Sequence, residues 1–158
     1  MFRELMRKKQ KLSREECIHI LQTEKRGVLS VLGDGGYPYG APMNHWYNEA
    51  DGKIYFHSGN VGHRLDALRR ENKVSFCVYD AGYCLPGHWA LHIKSVVVFG
   101  RVEIVDDPAR IAEVATSLSH KFTDDAAYIR EEIEKHAHRT LLLVLTPEEI
   151  CGKLVEES

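Results

Sequence analysis

The chain doubles back early and sharply. Gly33-Asp34-Gly35-Gly36 stands between the apolar run Val28, Leu29, Val31, Leu32 and a second extended run that begins at Tyr37. Glycine reaches positive φ without steric cost, so this stretch predicts a β-hairpin. A second compact turn, Asn48-Glu49-Ala50-Asp51-Gly52, separates the next two extended runs. Parallel neighbours need crossover connections of about a dozen residues or more. Turns this short therefore exclude a parallel α/β sheet for the first half of the chain and leave antiparallel pairing.

Six strands are predicted, over residues 26–32, 37–47, 53–58, 74–79, 91–105 and 140–145. Pro38, Gly40 and Pro42 interrupt the first half of the second. Proline donates no ladder hydrogen bond, so that stretch belongs at an edge or a bulge. The third carries Ile54 and Phe56 on one face and Tyr55 and His57 on the other. Gly100, inside the fifth, marks a bulge or a close backbone approach. From Thr146 onward the chain reads as a short tail. Ser13 and Glu16 form a capping-box pattern that opens a helix running to about Lys25. Further helices are predicted over 63–72, from Pro108 to about His120, and over 125–137. Without repeats or linkers, the 158 residues read as one domain spanning 1–158. Its expected architecture is mainly β: an antiparallel barrel with peripheral helices, whose closure removes sheet edges.

Composition narrows the function. A formal net charge of −2 gives no electrostatic footprint for nucleic acid or an acidic membrane. No apolar run approaches the roughly 18 residues of a membrane-crossing helix. The first residues, Met-Phe-Arg-Glu-Leu-Met, lack a secretory signal's apolar stretch, so a cytoplasmic location is expected. Cys17, Cys77, Cys84 and Cys151 are scattered and read as free thiols. His88 with His92, and His136 with His138, do not form a helical ligand pair, and no metal site is expected. Trp46, Trp89, Tyr83 and Phe122 read as packing residues, with an aromatic of the 80–90 loop as a possible cap over a ligand.

The chemistry concentrates in Ile54 to Leu68. A strand ends in a small polar loop, Ser58-Gly59-Asn60-Val61-Gly62, and a helix starts with His63 and Arg64. The first amides of a helix lack intrahelical partners and, with the helix dipole, attract anions. Ser58 adds a hydroxyl, Gly59 and Gly62 admit close approach, and Arg64 offers a planar fork for phosphate. The stretch fits a monophosphate site. From pattern alone a plain turn with a helix cap and a solvated Arg64 fits somewhat better. It is neither a Walker A loop nor a GxGxxG fingerprint, so ATP and dinucleotides are not favoured.

These pieces, taken in order, resemble the FMN-binding split-barrel superfamily that includes pyridoxamine 5'-phosphate oxidase, and within it the nitroimidazole-resistance (Nim-type) group. The resemblance runs through Met1 to Leu5, Gly33 to Pro42, Ile54 to Ser58, Gly62 to Arg64, Lys73 to Cys77 and Lys94 to Arg101. It implies a six-stranded antiparallel split β-barrel with FMN as cofactor. The flavin ring is implied against the second strand at Pro42, Met43, Asn44 and His45, and the ribityl chain and phosphate beside His57 and Ser58. Gly62, His63 and Arg64 match the phosphate-holding segment, and Lys94 and Ser95 match positions near the ring or phosphate. The resemblance also implies a homodimer with flavin at the subunit interface.

The activity implied is a flavin-dependent oxidoreductase reaction, the reduction of a nitroimidazole-like small molecule. His57 is the candidate proton-handling or substrate-contacting residue, since an unperturbed histidine titrates near neutrality; the alternative is that it only bonds to cofactor or backbone. Pyridoxamine phosphate oxidases carry an arginine-rich substrate-binding end, whereas Thr146 to Ser158 contains no arginine, which disfavours vitamin phosphate oxidation. The competing readings are a flavin- or haem-binding module without turnover and a deazaflavin-dependent reductase on the same fold.

Overall fold

The computed structural model describes residues 1–157. Helix α1 (Arg14–Thr23) opens with Ser13, whose hydroxyl accepts from the Glu16 amide while the Glu16 carboxylate accepts from the Ser13 amide. The strands are β1 (Arg26–Leu32), β2 (Pro38–Asn44), β3 (Trp46–Asn48), β4 (Lys53–Gly59), β5 (Lys73–Tyr79), β6 (Tyr83–Cys84), β7 (Leu91–Val105) and β8 (Thr140–Glu157). Helix α2 (His63–Arg70) follows β4, and α3 (Pro108–Ser119) and α4 (Ala126–His136) follow β7.

All pairings are antiparallel, in the order β2-β1-β5-β7-β8-β4-β3, with β6 on β7. The two ends of this path, β2 and β3, are consecutive in the chain, with His45 alone between them. The sheet curls into a half-barrel whose ends are tied covalently, not by a ladder. That corrects the expectation of closure and keeps the split barrel. The strand count rises from six to eight because the 37–47 run divides at His45 and the 80–90 loop contributes two-residue β6. No helix among the described residues is long and apolar enough to cross a membrane.

The expected tail is instead the second half of β8, paired along β7 to Glu157. The register shifts between Phe99 and Gly100, so that Phe99 faces Glu149 and Gly100 faces Pro147. Glu148 is the extra residue of this bulge, and its carboxylate accepts from Arg101 Nε at 2.7 Å. A Cβ at Gly100 would collide with the Thr146 carbonyl, which explains the glycine.

Two cores lie on opposite faces of the sheet. Inside the curl, Leu29, Phe56, Phe76, Val98 and Leu143 pack with Leu21 of α1 and Leu65 and Leu68 of α2. Outside it, Tyr55, Leu142 and Val144 pack with Ile111 and Val114 of α3. The first part of β8 is thus covered on both faces, and Leu141 to Leu145 are all buried. The outer face of β1, β5 and β7 has no helix over it. Val28 pairs with Cys77, and Cys77 with Val97, which in turn pairs with Cys151. Phe99, in the next row, stacks on Phe2 of the N-terminal arm.

Candidate functional site

Strand β2 is an edge strand, as its prolines require. The Gly33 amide donates to the Tyr37 carbonyl at 2.8 Å, and the His45 amide to the Lys25 carbonyl at 3.3 Å. Antiparallel pairs alternate between bonded and non-bonded. Pro38, Gly40, Pro42 and Asn44 therefore occupy the non-bonded positions opposite Leu32, Ser30, Val28 and Arg26. Their backbone groups point away from β1, where a missing proline N–H costs the ladder nothing. The free edge offers the amides of Gly40 and Asn44 and four carbonyls to whatever lies across the split, where β2 comes against β4.

Side chains on β2 alternate accordingly. Pro42 and Asn44 are exposed, and the Asn44 side-chain oxygen Oδ1 accepts from Arg26 Nε at 3.1 Å. Pro42 and Arg26 also line an open groove of about 580 Å³ with Val28 and Tyr79. Met43 and His45 are buried, and their backbone groups turn toward β1, with the His45 carbonyl held by Lys121, so neither residue faces the free edge. His45 is fully buried, its Nε2 lies 2.8 Å from the Leu21 carbonyl, and its ring meets Phe76 edge-on. Burial, with the nearby Lys121 ammonium, pushes its pKa down to about 4, so the ring is neutral. Lys121 donates to the carbonyls of Glu24 and His45 at 2.6 and 2.7 Å. It thereby pins the one-residue connection between β2 and β3 to the end of α1.

The far end of β2 meets the start of α2. The Tyr39 and His63 rings lie 4.4 Å apart. His63 Nε2 accepts from the Asp34 amide at 3.2 Å, which requires that nitrogen to be unprotonated. Arg70 holds the Asp34 carboxylate at 2.6 Å. His63 is therefore committed to the hairpin tip. Gly62 caps α2 at φ 134° with no atom within 4 Å of a notional Cβ, which leaves open space beside the first helical amides. Arg64, in that first turn, has a buried Nε without a hydrogen-bond partner. The Ser58 hydroxyl donates to the Gly59 carbonyl at 2.9 Å, which leaves its lone pairs free. An unpartnered guanidinium nitrogen in the first turn of a helix with open space at its start fits a phosphate.

Three sequence candidates are not brought to the free edge of β2 or the start of α2 within one chain. His57 alternates to the opposite face of β4 from Ser58 and lies beneath α3 and α4, where burial lowers its pKa. Lys94 reaches Glu16 of α1 at 3.7 Å, and Ser95 pairs with Tyr79 and Lys153. Both stand three strands from β2 in the sheet order. Sequence reading missed Arg26, Tyr39 and Lys121, which matter through partners 18, 24 and 97 residues away. It also misplaced Trp89, which is 78% exposed rather than packed. Cys17 is buried, and all four cysteines are free.

The sequence matches the family described as pyridoxamine 5'-phosphate oxidase over residues 13–154. The chain belongs to this family. A comparison with curated proteins finds no match. Among solved structures, a candidate 5-nitroimidazole antibiotic resistance protein from Bacteroides thetaiotaomicron superposes with a TM-score of 0.79 at 18% identity, covering 92% of this chain and 87% of that one. A FAD-binding protein from Mesorhizobium loti gives 0.69 at 22%, covering 92% and 97%. The flavocytochrome Anf3 from Azotobacter vinelandii gives 0.70 at 20%, covering 90% and 67%. At these identities the likeness is one of fold.

Proposed function

We propose that the cleft between the free edge of β2 and the start of α2 binds FMN, and that the chain is a flavin-dependent reductase of small molecules. The observation that carries this reading is the pairing of two features. One is an edge of outward amides and carbonyls suited to a flat heterocycle. The other is a helix start with an unpartnered Arg64 Nε suited to one phosphate. Asn44, Gly40 and Pro42 would meet the ring, and Ser58, Gly62 and Arg64 the phosphate; His63 would hold the hairpin tip in place beside them. A single anion cradle favours FMN over FAD, although relatives described as FAD-binding share the fold.

Bound flavin would supply electron transfer, while the protein positions it and its substrate. A nitro-aromatic substrate is supported by the likeness to the Bacteroides protein. A homodimer is supported by the uncovered face of β1, β5 and β7, which a second copy can bury with the same residues on both sides. Within that reading Lys94 and Ser95 can serve the partner's site. A binding module without turnover is the second reading. It is favoured by the commitment of the candidate histidines elsewhere, His45 to the Leu21 carbonyl, His57 beneath the helices and His63 to Asp34.

Purified protein titrated with FMN, FAD and riboflavin tests the binding. FMN quenching with a flavin spectrum supports it, and no binding of any flavin overturns it. Arg64→Ala should weaken FMN about tenfold or more, the worth of a charge-assisted hydrogen bond, and riboflavin little. Equal losses remove Arg64 from the phosphate role. Reduced protein mixed anaerobically with a 5-nitroimidazole should reoxidise faster than free reduced FMN; no acceleration leaves the module reading.

A further inference from the structure

A second cavity, of about 170 Å³, lies on the other side of β4 from the cleft. Its α3 wall is Ile111, Ala115 and Ser119, at successive i, i+4 positions; its α4 wall includes Ile133 and His136. His57 forms the floor, beside its register partner Leu142 of β8. We propose that this cavity is a binding site for a small uncharged aromatic ring bearing one hydrogen-bonding group, of which phenol is the simplest representative. The proposal does not rest on the flavin reading, because His57 and Ser58 are neighbours in sequence that face opposite sides of the sheet.

Size, polarity and charge each narrow the occupant. An apolar cavity of about 150 Å³ accommodates benzene, so this one accommodates a six-membered ring with a substituent. Ile111, Ala115, Ile133 and Ala137 give the walls their apolar surface, and Ser119, Glu132, His136 and Thr140 are their polar points besides His57. His57 Nε2 is buried without a hydrogen-bond partner. That is a defect a ligand hydroxyl would repair, since an unmatched buried polar atom costs roughly 1–3 kcal/mol. The Thr140 hydroxyl donates to the His136 carbonyl at 2.8 Å and is left only as an acceptor. Charge disfavours the ions. An anion would face the Glu132 carboxylate, which lies 3.5 Å from His136 Nε2 and 3.6 Å from the Lys135 ammonium. A cation would have to leave water for Ile111, Ala115 and Ile133 with a neutral imidazole beneath it.

The test titrates phenol into the full chain, with and without saturating FMN, and follows the His57 ring resonance by NMR together with calorimetry. Saturable binding at one site per chain, shifting His57 and indifferent to FMN, is expected. Ala115→Leu, which fills the space, should weaken phenol about tenfold or more. Should that variant fail to fold, Ala115→Val and His57→Leu provide the same reading. Toluene, of similar size without the hydroxyl, should bind about fivefold or more weaker than phenol. No saturable binding, binding unchanged in the filled variants, or displacement by FMN would each overturn the proposal, and the first two leave flavin binding at β2 and α2 untouched.

Discussion

Lys121 should impose a measurable pH dependence on stability. Its ammonium is half-buried among the ends of α1, β2 and β3, donating to two backbone carbonyls. Burial lowers its pKa from 10.5 to about 8, against the partial help of Glu24. Between pH 8 and 10.5 the unfolded chain holds a proton on this amine that the folded chain has released. Stability from this group therefore rises with pH through that window. The penalty is fully present below about pH 8 and gone above about pH 10.5. A drop of this size corresponds to about 3 kcal/mol, which solvent access to a half-buried group reduces to about 1–2 kcal/mol. Other groups work in the opposite sense: burial raises the pKa of Cys17, Cys77 and Tyr55, so their contributions fall as pH rises. A difference measurement separates the two. Urea unfolding of the natural chain and of Lys121→Met at pH 7, 8, 9 and 10 should show the natural chain gaining about 1–2 kcal/mol on the variant across the series. A difference that stays level from pH 7 to 10 would refute a desolvated ammonium at this position.

Further perturbations address the frame around the site. Gly100→Ala drives a methyl group into the Thr146 carbonyl and should cost about 2–3 kcal/mol, seen as a lowered Tm; an unchanged Tm would mean the bulge yields freely. Ser13→Ala removes the capping box of α1 and should cost about 1 kcal/mol in urea unfolding. Deleting residues 147–157 strips the outer half of the β7–β8 ladder and the Gly152 carbonyl that accepts from the Leu12 amide at 2.9 Å. The shortened chain should lose its single cooperative transition in calorimetry. A retained transition would restore the view of this segment as a tail.

Local patterns carried much of the fold. The alternation in 53–58 placed Phe56 inward and His57 outward, as β4 does. The prolines of β2 announced an edge strand, and Gly100 announced its bulge. The end of β8 was not legible, because Pro147 and the charged Glu148-Glu149 interrupt the apolar run that ends at Leu145 and leave what reads as a tail. Its extended form is set by pairing with β7 some fifty residues away, a context that local propensity does not contain. The site was legible only in part for the same reason. Gly62 and Arg64 form one local motif and stay together, whereas the fate of His63 was decided by Asp34 across the hairpin, 29 residues earlier. Lys94 and Ser95 seemed close to the site until the strand order put β1 and β5 between them and β2.

The free edge of β2 has a consequence for how this protein behaves before any ligand arrives. An exposed edge is a template on which a stray strand from another molecule can pair and start aggregation. Pro38 and Pro42 stand at alternate outward positions, so a foreign strand would find a donor missing at every second outward site. A continuous ladder cannot form there. A compact planar molecule needs only one or two of the remaining amides, Gly40 or Asn44, and is not hindered. The same two prolines that make the second strand look poorly formed in the sequence leave an edge closed to polypeptide and open to a small ring.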